Sequence, residues 1–173
     1  TTNTRTIIST IMPPEVFLVE TLPYLRPNYF NGKEFQEAVP LSVTAFMCGL
    51  FNSFVIDFII RQRISLHATM SHILELPIPR YSEKDPYFSE IVQNVGSLIC
   101  TSPEFDSLKK ELQIKKGVTD LQERERLMAQ ISAYTAKIYD LTKEELEYIL
   151  STFSEKNQPL KQRVLEEFNK LKE

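Results

Sequence analysis

Apolar residues recur at positions 43, 46, 47, 50, 51, 54, 55, 58 and 59 of the stretch LSVTAFMCGLFNSFVIDFIIRQRI. Steps of three and one trace one face of a helix. The spacing therefore predicts a single long helix over 43–62, with Ser42 as N-cap. Ala45, Gly49 and Ser53 lie four residues apart on the opposite face. They are small enough to admit a second backbone, so this helix is expected to be buried on two sides. A membrane span is the competing reading. Asn52 and Asp57 fall inside the stretch and Arg61 and Arg63 follow it, and one Asp at a bilayer centre costs about 3 kcal/mol, which disfavours a span.

Ahead of that helix the pattern changes. RTIISTI (5–11) and VFLV (16–19) are rich in β-branched and aromatic residues and are separated by MPPE, which predicts strand, turn, strand. Residues 20–41 carry three prolines, Gly32, Asn28 and Asn31, the mark of a long irregular loop. After the helix, 64–73 has no clear period. LELPIP (74–79) follows. Each residue before a proline is pushed toward extended geometry, so this segment reads as a straight strap with Leu74, Leu76 and Ile78 on one side. The expected fold class is α+β, mainly helical: a small β-sheet of 5–11, 16–19 and 73–78 packed on the long apolar helix, then a helical spacer. The seam at LELPIP divides the chain into 1–80 and 81–173.

The second part is helical throughout. Asp85 and Pro86 read as N-cap and first residue of a helix to about 100. Ser102-Pro103 repeats the device for 103–113. A helix over 119–139 places Leu121, Met128 and Thr135, and also Ile131 and Ile138, at sevenfold spacing, which suits coiled-coil-like packing. Thr142 with Glu145 forms a capping box for 143–153. Pro159 opens a last helix with Leu160, Val164, Leu165, Phe168 and Leu171 inward.

Charge narrows the functional classes. The chain of 173 residues has net charge −3, without the basic excess of a free-standing nucleic-acid binder. Residues 1–80 hold six basic and six acidic residues, and five of the six cations are Arg, the residue suited to bidentate contacts with phosphate, guanine or carboxylate. Two cysteines, Cys48 and Cys100, sit in apolar segments, which predicts a reduced, cytoplasmic protein. The chain has no initiator Met, which suggests a fragment of a longer polypeptide. No CxxC, HExxH, GxSxG or glycine-rich phosphate loop occurs. DPYF (85–88) looks like the base-holding loop of adenine methyltransferases but lacks its second proline, and a helix start accounts for it. The fragment is therefore expected to be non-catalytic.

Several stretches resemble a known family. NTRTIISTIMPP looks like the Arg-Thr strand and Pro-Pro turn late in the large adenine-specific DNA methyltransferases of type IIG restriction–modification enzymes and related phage-resistance methylases. GLFNSFVIDFIIRQRI is similar to their Asn-Ser helix ending in Arg-Gln-Arg, and HATMSHILELPIP to the run leading into Leu-Pro-x-Pro. KIYDLTKEELEYILSTF and RVLEEF resemble their late signatures. The stretches fall in the family's order. Thr69 stands where the family usually has Asn, and Ser65-Leu66 where glycines are common. The resemblance implies that 1–80 is the C-terminal part of a target recognition domain and 81–173 a helical spacer. It implies double-stranded DNA as partner, together with an upstream methyltransferase domain that binds S-adenosylmethionine; no cofactor is expected in this fragment.

The candidate DNA-binding residues are Arg61 and Arg63 for phosphate, His67, Thr69 and His72 for base edges, and Asn31 and Lys33 in the long loop. Arg61 and Arg63 also suit a helix C-terminus without any ligand. Arg5 is expected to pair with Glu20, and Asn52 to be a structural hydrogen-bonder. Tyr134, Tyr139 and Tyr148 read as packing residues. The alternative function is a helical protein-interaction module docking on the methyltransferase core or on a second copy. An independent enzyme is disfavoured by the missing motifs.

Overall fold

The computed structural model describes residues 4–18, 23–64 and 69–171. It is mainly helical, with one small antiparallel sheet. In order come a strap (4–18), the hairpin strands β1 (Asn28–Phe30) and β2 (Phe35–Glu37), and the helices α1 (Leu41–Phe51), α2 (Phe54–Arg61), α3 (Met70–Leu74), α4 (Phe88–Ile99), α5 (Asp106–Glu111), α6 (Leu121–Ile138), α7 (Lys143–Ser151) and α8 (Gln158–Lys170). Short 3₁₀ turns precede α5 and α8.

The apolar stripe forms two helices, not one. They meet at Asn52–Ser53 with a bend of 65°. Ser53 causes the break: its hydroxyl donates to the Leu50 carbonyl (2.7 Å) and accepts the Ile56 N–H (3.2 Å), and its backbone is extended. A serine that bonds locally in this way competes with the helical ladder and caps a new helix. The bend divides the stripe between two cores. Phe46, Leu50, Ile56 and Ile60 pack with Phe88, Ile91, Val95 and Ile131; Phe54 and Val55 pack with Ala129, Ala133, Leu146, Phe153 and Val164. Residues from both sides of the LELPIP seam thus share both cores. Against α1, a Cβ on Gly49 would collide with the Ile91 and Val95 side chains, so the small-residue face does admit α4 closely. No single helix among the described residues is long and apolar enough to cross a membrane.

The sheet is not where the β-rich stretches predicted it. Residues 5–11, 16–18 and 73–78 form no strand; residue 19 lies outside the described residues. Residues 5–11 lie instead as a strap whose backbone is bonded by the side chains of Asn52, between α1 and α2, and Asp57 on α2, and Met70–Leu74 turn into α3. The sheet that does form lies within the expected loop. Asn28 pairs with Glu37, Tyr29 with Gln36 and Phe30 with Phe35, around a turn at Asn31-Gly32 with Gly32 at φ 96°. Asn31 Oδ1 accepts the N–H groups of Lys33 and Glu34 (2.9 and 3.1 Å) and holds that turn. Both strands are exposed at every residue, so the sheet does not pack on the apolar helix.

Other boundaries shift for local reasons. Pro40, not Ser42, precedes the first turn of α1. Asp85 bonds the N–H and hydroxyl of Ser82 instead of capping α4, which starts after Tyr87 at φ 66°. The Thr142–Glu145 box forms as expected (2.8 and 3.2 Å). On α6 the Ile131–Ile138 row is buried, whereas Leu121 is 76% exposed and Met128 half-exposed. Ala129, Ala133 and Ala136 make the second buried face, beside α7 and α8.

The LELPIP strap is held at two points. Leu76 is buried, and the Tyr139 hydroxyl donates to the Pro77 carbonyl at 2.9 Å. Burial pushes the Tyr139 phenol up from 10.0 to about 12. The folded state thus prefers the protonated phenol. Its contribution is complete below the unfolded value and is lost as pH rises through the folded one. We expect the stability advantage of the parent chain over Tyr139→Phe to decline between pH 10 and about 12 in urea melts. Leu50→Ala should cost about 2–5 kcal/mol in the same melts, as large-to-small changes at fully buried sites do.

Candidate functional site

Arg5, Asp57 and Arg61 form a charge cluster at the bend between α1 and α2. Asp57, on α2, is fully buried. A carboxylate without solvent must be compensated by cations and N–H groups. The Arg5 guanidinium donates to it at 2.5 Å, and the Thr6 N–H lies 3.1 Å from both of its oxygens. Arg5 also donates to the carbonyls of Asn52 (2.8 Å) and Ser53 (2.9 Å). These sit at the bend, where the Ser53 carbonyl also accepts the Asp57 N–H (3.2 Å). The Arg5 plane lies 4.4 Å from the Phe54 ring centroid. Burial lowers the Arg5 pKa, opposed by the hydrogen bond and charge of Asp57; an arginine remains protonated regardless.

Arg61, the first expected phosphate contact, closes the same cluster. Its guanidinium donates to the Thr6 hydroxyl (2.9 Å) and the Thr4 carbonyl (3.0 Å), lies 3.4 Å from Asp57, and covers the Phe153 ring at 4.1 Å. Asn52 completes the strap's attachment. Its side-chain oxygen accepts the Ser9 N–H (3.1 Å) and its amide donates to the Ser9 carbonyl (2.8 Å), a structural role as its position in an apolar helix predicts. The Ser9 hydroxyl reaches the Cys48 carbonyl (3.1 Å).

The remaining candidates fall into two groups. Arg63 is exposed and donates to the Glu75 carbonyl at 2.7 Å, beside the end of α3. Thr69 and His72 cap the start of α3: His72 Nδ1 accepts the Thr69 N–H (3.1 Å), and the Thr69 and Ser71 hydroxyls lie 2.7 Å apart. His67 lies outside the described residues. Asn31 and Lys33 sit together on the exposed hairpin turn. Among the described residues no hydrogen bond or salt bridge joins the hairpin turn to the α3 group.

Burial raises the thiols of both Cys48 and Cys100, which disfavours the reactive thiolate. No group of His, Cys, Asp or Glu among the described residues could hold a metal ion. Two open clefts occur. One of about 260 Å³ is lined by Cys100, Ser102, Asp106, Lys109 and Gly117; the other, of about 420 Å³, by Phe58, Leu141, Glu145, Tyr148 and Ile149. Neither pairs a nucleophile with a base.

The Arg5–Asp57 pair departs from the expected one; Glu20, the expected partner of Arg5, lies outside the described residues. The signal for it is Asp57 itself, the one acid in an apolar stripe, which requires a cation wherever the stripe is buried. No protein-family model, curated protein or solved structure matches the chain.

Removing one partner of a buried pair leaves the other uncompensated. Arg5→Met is therefore expected to cost about 3 kcal/mol or more, and the double change Arg5→Met with Asp57→Leu to recover much of that loss. Urea melts of the single and double variants give the coupling directly.

Proposed function

We propose that the chain is the non-catalytic DNA-recognition and helical-spacer part of a site-specific adenine DNA methyltransferase or restriction–modification polypeptide. It would act in the cytoplasm on double-stranded DNA, beside an upstream methyltransferase domain that holds S-adenosylmethionine. The observation that supports this reading is a convergence. NTRT and FNSFVIDFIIR, stretches that resemble family motifs and stand about fifty residues apart, close on one another through Arg5, Thr6, Asn52, Asp57 and Arg61.

Within this reading Arg61 holds the strap, and the DNA-facing groups are Arg63 with Thr69, His72 and His67, and Asn31 with Lys33 on the hairpin. Phosphate contacts dominate affinity. A chain of net charge −3 therefore contributes position and base reading more than binding strength.

A second reading has its own support. Tyr29, Phe30 and Phe35 on the hairpin are each more than half exposed, and Phe17 is 99% exposed. Grouped apolar side chains in water mark protein interfaces, so the hairpin suits docking on the methyltransferase core or on a second copy.

Salt dependence separates the two. In the polypeptide that carries the upstream domain, Lys33→Ala and Arg63→Ala should each reduce the slope of log affinity against log salt by about one unit for every phosphate left without its cation. Arg61→Ala should lower the unfolding midpoint instead. Unchanged slopes in both surface variants, with the fold intact, would leave docking as the better reading.

A further inference from the structure

Among the described residues, no backbone-to-backbone hydrogen bond joins the strap to the rest of the chain. Side chains make every bond across that boundary. Asp57 accepts the Thr6 N–H, Asn52 spans the N–H and carbonyl of Ser9, and Arg61 reaches the Thr4 carbonyl. The strap also buries little. Of residues 4–18 only Ile7 is buried, and Ile8, Thr10 and Met12 are exposed. A segment with few buried apolar contacts belongs to the low-stability end of a fold, and its polar groups bond to water once released.

The two cations of Asp57 differ in what carries them. Arg5 arrives with the strap. Arg61 stands on the same helix as Asp57, 3.4 Å from the carboxylate, with its guanidinium over the Phe153 ring. Neither of those contacts needs the strap. Departure of the strap takes from Arg61 only the Thr6 hydroxyl and the Thr4 carbonyl. A carboxylate inside an apolar core needs a charge partner, and here one remains after the other has gone.

We propose that the strap from Thr4 to Met12 detaches as one unit while α1 and α2 stay folded, and that Arg61 then serves as the counter-charge of Asp57. The device is a hand-over between two arginines that gives the fold a second, open form. What lies beneath the strap makes that form measurable. Cys48 is buried, and its Sγ lies 3.5 Å from the Ser9 hydroxyl and 3.7 Å from the Asn52 amide. Detachment brings this thiol to solvent, together with the carbonyls of Asn52 and Ser53 that Arg5 covers in the closed form. The inference concerns a motion built into the fold and rests on neither functional reading above.

The test follows the thiol. Cys100→Ala leaves Cys48 as the sole cysteine, and its reaction with an aromatic disulfide reagent is timed in rising urea, beside far-UV melts of the same chain. Detachment exposes little surface, so at low urea the rate should hardly depend on denaturant. It should exceed by about tenfold or more the rate that global unfolding permits, and join the global line near the midpoint. Two further variants test the hand-over. Arg5→Met should raise thiol reactivity and global unfolding together, since Arg5 is solvated in both the open and the unfolded form. The ratio of open to unfolded chain should then stay within about twofold of the parent. Arg61→Met should lower that ratio about fivefold or more, since it takes from the open form the charge that faces Asp57. The urea dependence of the Cys48-only chain decides the first point by itself if a variant fails to fold. Three results would overturn the proposal: a rate that keeps the global urea slope down to zero denaturant, a thiol as reactive as that of the unfolded chain, or an unchanged ratio in a folded Arg61→Met chain.

Discussion

A single carboxylate with no access to water, that of Asp57, governs the arrangement of everything around it. Taking an ion out of water costs several kcal/mol unless charges and hydrogen bonds replace the solvent. Arg5 and Thr6 supply them from one side and Arg61 from the other. To reach Asp57, the strap must lie along α1 and α2. Lying there, Arg5 also meets the carbonyls of Asn52 and Ser53 at the bend between the two helices. Arg61 carries the network on to Phe153, at the end of α7. Arg5 and Thr6 are in this way tied to both cores.

The bend at Ser53 lets one apolar stripe serve two cores. Both α1 and α2 are too short to span a bilayer, and their apolar faces are taken up by α4 on one side and by α6, α7 and α8 on the other. The prolines of LELPIP fit the same logic. Pro77 has no N–H to satisfy, and its carbonyl receives the Tyr139 hydroxyl, so an extended segment with little ladder capacity is fastened by the side chain of the residue that caps the C-terminus of α6.

The helices after residue 80 were legible because their signals are local: a 3.6-residue period, the Thr142–Glu145 box and Pro159 near the start of α8. The burial of the 43–59 stripe was legible too. Its break was not, although Asn52-Ser53 is a capping signal inside an apolar run; uninterrupted periodicity outweighed it. RTIISTI carries a correct strand pattern, yet no strand pairs with it, since pairing depends on a partner that no local pattern reveals. The hairpin hid in a proline-rich loop, though Asn31-Gly32 is a recognised hairpin turn signal. Arg61 looked like a surface cation because Arg5, Thr4 and Thr6 are more than fifty positions away in sequence, and only the folded chain brings them to it.

That separation also orders the folding of the chain. The helices after residue 80 close through neighbours, whereas the strap must close a loop of about fifty residues before Arg5 meets Asp57, at an entropic cost that only the completed network offsets. Until the strap arrives, Asp57 sits in a half-assembled apolar core without its main counter-charge and stays solvated, holding that core open. Release of the strap would leave Asp57 in an apolar core without its main counter-charge. The N-terminal segment acts as a latch, and its departure admits water to the junction between the two cores.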